Sequence, residues 1–154
     1  MADALKQLDK AAQIETLAGE LYRLMAARLP AGSSAQVVLS RLADEEEEHA
    51  RRIAMLRDAF LRQPDAFCAE RFNLPGADEL IEDGLTLQRL LSDPGSTFSP
   101  NEARRFMIEQ ERRFGVAHAQ ALSADASPMI ARFFASLAKQ DEVHVRVLEQ
   151  LRIP

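Results

Sequence analysis

A single cysteine, Cys68, is all the thiol chemistry this sequence has. No intrachain disulfide can form, and neither a four-cysteine zinc site nor a rubredoxin-type iron centre can be built from this chain. A reducing, cytoplasmic compartment is the expected setting. Positive charge is short as well. Nineteen Lys and Arg against 24 Asp and Glu leave a net charge of −5, so the basic face that phosphate binding needs is missing and nucleic acid is not an expected partner. No apolar run approaches the roughly 20 residues of a membrane span. The opening MADALKQLDK lacks the charged-then-apolar layout of a signal peptide, so neither membrane nor leader is expected. Gly and Pro are few, 6 and 7, and they fall in clusters that punctuate the chain.

What is present favours helix. Ala, Leu, Glu and Arg are abundant, and 154 residues with 47% apolar content suit one folded domain with a real core. Four long amphipathic segments stand out. The first runs from about Ala4 to Leu29, ahead of Pro30-Ala31-Gly32, and the second from about Ser34 to Arg62, ahead of Pro64. The third starts at Ser99, where Ser99, Pro100 and Glu102 make an N-cap, a first-position proline and a capping box; it continues to about Leu122. The fourth follows Ser127-Pro128 and reaches about Leu151. Short loops make each pair an antiparallel hairpin, over about 4–62 and 99–152. The crossover between them, about 63–98, contains Pro75-Gly76, a shorter helix from Asp78 to Leu91, and Asp93-Pro94-Gly95.

The hairpins read as copies. Leu42-Ala43-Asp44-Glu45-Glu46-Glu47-Glu48-His49 lies in register with Leu137-Ala138-Lys139-Gln140-Asp141-Glu142-Val143-His144. Glu15 precedes Glu46 by 31 residues, and Glu111 precedes Asp141 by 30. Such a repeat predicts a pseudo-twofold arrangement that gathers equivalent residues at its axis.

Acids fall where a core should be. On the second segment the apolar stripe reads Val38, Leu42, Glu46, His49, Ile53, Leu56 and Phe60, in steps of three or four that keep one helical face. On the fourth it reads Ile130, Phe134, Leu137, Asp141, His144, Leu148 and Leu151. The first gives Leu8, Ala12, Glu15, Ala18, Tyr22, Met25 and Leu29, and the third Met107, Glu111, Phe114, His118 and Leu122. Each helix thus centres a carboxylate on its inward stripe, and two add a histidine one turn on. Four buried carboxylates repel one another and lose hydration. Protons relieve this in part; two divalent cations neutralise it completely. An acid and a His at i, i+3 point the same way, so the acid can bridge two ions while the imidazole binds one. Oxygen-rich sets with imidazole suit iron or manganese better than zinc or copper.

This pattern resembles the ferritin-like di-iron carboxylate superfamily, with one Glu from each of two helices and Glu-x-x-His from the other two. Glu15-Thr16-Leu17-Ala18-Gly19-Glu20-Leu21-Tyr22 resembles the Glu-x-x-Ala-x-x-x-Tyr phrase of rubrerythrin-like members. The resemblance spans both hairpins but not the crossover. It implies an all-α, ferritin-like four-helix bundle with one long crossover. It also implies two iron ions, with manganese or a mixed pair compatible. Glu15 and Glu111 would be terminal ligands, Glu46 and Asp141 bridging ligands, and His49 and His144 terminal nitrogen ligands. The implied activity is oxidoreduction of peroxide or dioxygen by a homodimer or larger homo-oligomer. With no rubredoxin module in the chain, electrons would come from a separate donor protein. A ferroxidase serving iron storage or delivery, and a non-catalytic helical protein with structural metals, are the alternatives. Two features depart from the family: Asp141 stands where Glu is usual, and Phe114 where rubrerythrins carry a further Glu.

Other polar residues have plainer expectations. Glu45, Glu47 and Glu48 lie off the stripe and should be solvated, as should Glu20 and the Arg104, Arg105, Arg112 and Arg113 group. Tyr22 is expected as a packed aromatic. His118, two turns beyond Glu111 and equivalent to Tyr22, is expected as a core histidine bonded to a neighbour, or as a partner behind a ligand.

Overall fold

The computed structural model describes residues 2–67, 73–121 and 127–154. Cys68 and Leu122 lie outside them. Among the described residues the chain is helical with no strand. The helices are α1 (Ala2–Ala27), α2 (Ser34–Arg62), a single turn α3 (Pro64–Phe67), α4 (Ala77–Ser92), α5 (Pro100–Gln120) and α6 (Pro128–Gln150). Among those residues no helix is long and apolar enough to cross a membrane.

Local chemistry sets the boundaries. Ser33 caps α2 by accepting from the Gln36 backbone N–H, and Ser127 does the same for α6 from Ile130. Both halves of the capping box form at α5: the Ser99 hydroxyl accepts from Glu102 N, and Glu102 accepts from Ser99 N. The crossover helix α4 is one residue longer at each end than the Asp78–Leu91 expected. Its N-terminus turns on Gly76 at φ 72°, a left-handed conformation that favours glycine.

Ion pairs report the register of the hairpins. Along α1 and α2, Arg57 meets Asp9 at 2.5 Å, and Arg23 meets Asp44 at 2.8 Å and Glu47 at 2.6 Å, so the two helices run antiparallel. Between α5 and α6, Arg112 reaches Glu149 at 2.7 Å, and nearer the start of α5 Arg104 donates to the Leu148 carbonyl at 3.0 Å. These exposed pairs mark alignment and add little stability.

Most of each apolar stripe is buried as patterned; Ala12 and Leu151 are only half-buried, and two further differences concern α2 and α1. On α2, Leu39 is fully buried while Val38 is half-buried, so the face turns by one residue at its start. On α1 the buried face is wider than one stripe, taking in Ala11, Ile14, Leu17 and Leu21, because this helix packs on both α2 and α4. Helix α4 lies parallel to α1: Lys10 pairs with Asp78 at 2.8 Å and Glu20 accepts from Gln88 at 2.6 Å. Between those contacts a Cβ on Gly84 would come within 2.5 Å of Leu17 Cδ2, so the glycine lets the helices close up.

Arg28 fastens the far end of α4. Its guanidinium donates to the carbonyls of Leu91 at 2.9 Å, Asp93 at 3.1 Å, Phe98 at 3.0 Å and Leu90 at 3.4 Å. The Leu90 and Leu91 carbonyls are among the acceptors that a helix C-terminus leaves without partners. Arg28→Met is expected to lower stability by about 1–3 kcal/mol, the scale of charged hydrogen bonds. Urea denaturation would measure the loss, and hydrogen exchange should quicken first at the last turn of α4.

Candidate metal centre

All six residues singled out by pattern are buried: Glu15, Glu46, Glu111, Asp141 and His144 are 0% exposed and His49 is 4%. Gly19 and Gly115, one turn after Glu15 and Glu111, face the partner helices at the level of Glu46 and Asp141. A Cβ built on Gly19 would touch Glu46 Cβ at 3.5 Å, and one on Gly115 would touch Asp141 Cβ at 3.6 Å.

Glu46 lies at the middle. Its Oε2 is 3.2 Å from His49 Nδ1, and its Oε1 is 2.7 Å from His144 Nδ1. Glu15 joins the first side, with Oε2 at 3.3 Å from His49 Nδ1, and Glu111 the second, with Oε1 at 3.4 Å from His144 Nδ1. The two imidazoles stack at 5.6 Å with 17° between planes. Their donor atoms form two groups, Glu15–Glu46–His49 and Glu46–Glu111–His144, each spanning no more than 4.8 Å.

Asp141 is placed differently from the bridging position the family resemblance implies. Its Oδ2 lies 2.6 Å from His118 Nδ1, and it groups with Glu15 and His118 rather than with Glu111 and His144. An aspartate arm is one methylene shorter than glutamate, which limits its reach across the centre.

Pattern reading left His118 outside the ligand set, yet its ring is 1% exposed and its Nε2 is 3.4 Å from Glu15 Oε1. The repeat held a clue. His118 follows Glu111 by seven residues, as Tyr22 follows Glu15. Each reaches the lone Glu of the other hairpin, Tyr22 by donating its hydroxyl to Glu111 Oε1. Glu45 was also missed. Expected in solvent, it accepts from His144 Nε2 at 2.9 Å, and no stripe pattern flags a residue that backs a histidine from the rim.

Electrostatics show how the metal-free chain tolerates this. Burial, then the neighbouring Glu111 and Glu15, holds Glu46 well above the carboxylate range. Burial likewise raises Asp141 to about 7, against the pull of His118. Burial alone would lower His144, but Glu111 and Glu45 outweigh it and raise it to about 9. Glu15 is the counterpart: burial pushes it up, yet His49, Glu46 and His118 together bring it down to about 2. Protons therefore offset the negative charge in the empty chain.

The donor set fits a cation. Among the described residues, buried Glu15 Oε1, Glu46 Oε1, Glu111 Oε2, Asp141 Oδ1 and His144 Nδ1 have no hydrogen-bond partner. Glu46 Oε1 and His144 Nδ1 stand 2.7 Å apart without hydrogen-bond alignment. Such atoms are costly to bury unless something binds them. On the Glu111 side, a cleft of about 610 Å³ between α5 and α6 is lined by Glu111, Gly115, Val116, Ala119, Val145 and Arg146. No family model matches the sequence, and no match is found among curated proteins or solved structures.

A pH dependence follows. The stability that His144 contributes is complete below its ordinary value of 6.5 and is lost as pH rises through about 9; that of Asp141 is lost as pH rises through about 7. Glu15 acts in the opposite sense, losing its contribution only as pH falls from 4.5 through about 2. The thermal midpoint of the metal-free protein should thus fall as pH is raised from 6.5 to 9. Saturating Mn(II) should raise it and flatten the profile, because the cation replaces the protons. A scanning calorimetry series with and without metal checks this.

Proposed function

We propose that this chain is a ferritin-like, rubrerythrin-like di-iron protein that reduces peroxide or dioxygen with electrons from a separate donor protein. In this reading α1, α2, α5 and α6 form the four-helix bundle, and α4 is a strap within its one long crossover. The observation that carries it is Glu46, whose two oxygens face two different buried imidazoles while Glu15 and Glu111 flank it. One carboxylate shared by two nitrogen donors is what a pair of adjacent ions requires. Two dications also balance the charge of Glu15, Glu46, Glu111 and Asp141. Manganese, or a mixed pair, fits the same donors.

When bound, two ferrous ions would supply one electron each to an oxidant. Splitting hydrogen peroxide into two waters consumes those two electrons and two protons. The chain's own residues set the conditions. Glu46 would hold both ions, one through each oxygen. Glu45, by accepting from His144 Nε2, fixes the tautomer that turns Nδ1 inward. Tyr22 orients Glu111, and its pKa is raised, first by burial and then by Glu111, so its proton stays in place. The α5–α6 cleft admits a small oxidant near Glu111.

Anaerobic loading should give about two ferrous ions per chain, and added peroxide should oxidise both within seconds, followed by optical and Mössbauer spectroscopy. Ferrous ions that bind yet persist in peroxide would overturn the redox reading and leave a structural role. Glu46→Ala should cut binding of both ions at least tenfold, because it removes an oxygen from each donor group; elemental analysis after desalting reads this directly.

A further inference from the structure

Buried among the donors is a third histidine that the six-residue ligand set does not use. We infer that His118 is a metal ligand, binding through Nε2 the ion held by Glu15 and His49, with Asp141 behind it as the carboxylate that orients its ring. The inference rests on the two-metal reading above and changes its ligand assignment.

Three observations carry it. First, the two nitrogens of His118 have different surroundings. Nδ1 lies in a 2.6 Å hydrogen bond to Asp141 Oδ2, and Nε2 faces Glu15 Oε1 at 3.4 Å, an oxygen without a hydrogen-bond partner among the described residues. An imidazole that gives one N–H to a carboxylate and turns its other nitrogen toward an unpartnered oxygen is arranged as metal-bound histidines are. Second, Glu15 sits between two rings. Its Oε2 faces His49 Nδ1 at 3.3 Å and its Oε1 faces His118 Nε2 at 3.4 Å, so a single ion chelated by both oxygens of this carboxylate would meet both nitrogens. Third, the pseudo-repeat differs at this point. Tyr22 at the equivalent position can offer Glu111 only a hydroxyl, whereas His118 offers Glu15 a lone pair.

The consequence is an unequal pair. On this assignment the ion on the Glu15 side has the grouped donors Glu15, Glu46 and His49, with His118 added through the other Glu15 oxygen. The ion on the Glu111 side has Glu46, Glu111 and His144, and open clefts lie on both sides, one lined by Glu111 and Gly115 and another by His118 and Ala138. Fewer protein donors leave more positions for an exogenous ligand, so the Glu111 side is where the oxidant binds. Asp141 keeps its charge beside the centre, and neutrality with two dications is unchanged.

A rival arrangement has Asp141 as the ligand and His118 behind it, since Asp141 Oδ1 is also unpartnered. Cobalt(II) substitution separates the two. Proton NMR of the cobalt-loaded full chain counts the exchangeable, hyperfine-shifted imidazole N–H signals, one for each ligating histidine. Three are expected for the unaltered protein, two for His118→Gln and three for Asp141→Asn. In metal titrations His118→Gln should weaken one of the two ions by 10- to 100-fold or more and leave the other unchanged. Two signals in the unaltered protein with both ions bound would overturn the assignment. So would loss of an ion in Asp141→Asn while His118→Gln keeps both. An unaltered protein that binds no cobalt would instead bring down the two-metal reading itself.

Discussion

Negative charge held in a dry interior is the constraint around which this structure is arranged. Glu15, Glu46, Glu111 and Asp141 are all fully buried, and they meet at one level of the molecule. Isolated, each would cost several kcal/mol to strip of water. Three imidazoles and a phenol surround them, and several contacts between the hairpins at this level run through these groups: Tyr22 to Glu111, His144 to Glu46 and Glu45, His118 to Glu15. The polar centre is thus also the joint between two halves that are each apolar hairpins.

The same constraint explains why the surroundings are so regular. Leu8, Leu39, Leu42, Ile53 and Phe60 on one hairpin, and Met107, Phe134 and Leu148 on the other, bury completely above and below the centre. Burial excludes competing water, which raises the cost of the bare charges and strengthens their grip on whatever neutralises them. Protons do this in the metal-free chain, as the raised values of Glu46, Asp141 and His144 show. A cation of higher charge does it without leaving donor atoms unpaired. Around this core α4 and Arg28 brace α1, the helix that presents both Glu15 and Tyr22.

Two of the differences between the hairpins set the asymmetry at His118. Where one hairpin has Tyr22 the other has His118, and where one has Glu46 the other has Asp141. The two changes are in contact, His118 to Asp141 at 2.6 Å. A shorter acid withdraws from the middle, and an imidazole takes its carboxylate.

Much of this was set by the order of residues along the chain. Three-and-four spacing put Glu15, Glu46, His49, Glu111, Asp141 and His144 on inward faces, because a helix repeats every 3.6 residues whatever it packs against. Ser33 and Ser99 fixed helix starts by local hydrogen bonding, and Pro100 by its restricted φ. What spacing could not supply was which buried groups touch. Residues on different helices meet according to how far the helices slide, how close they approach and how long each side chain is. Those quantities turned Asp141 toward His118, set Glu45 behind His144 and laid α4 on α1 through Gly84. They arise only when the hairpins come together, since none of these contacts lies within a single helix.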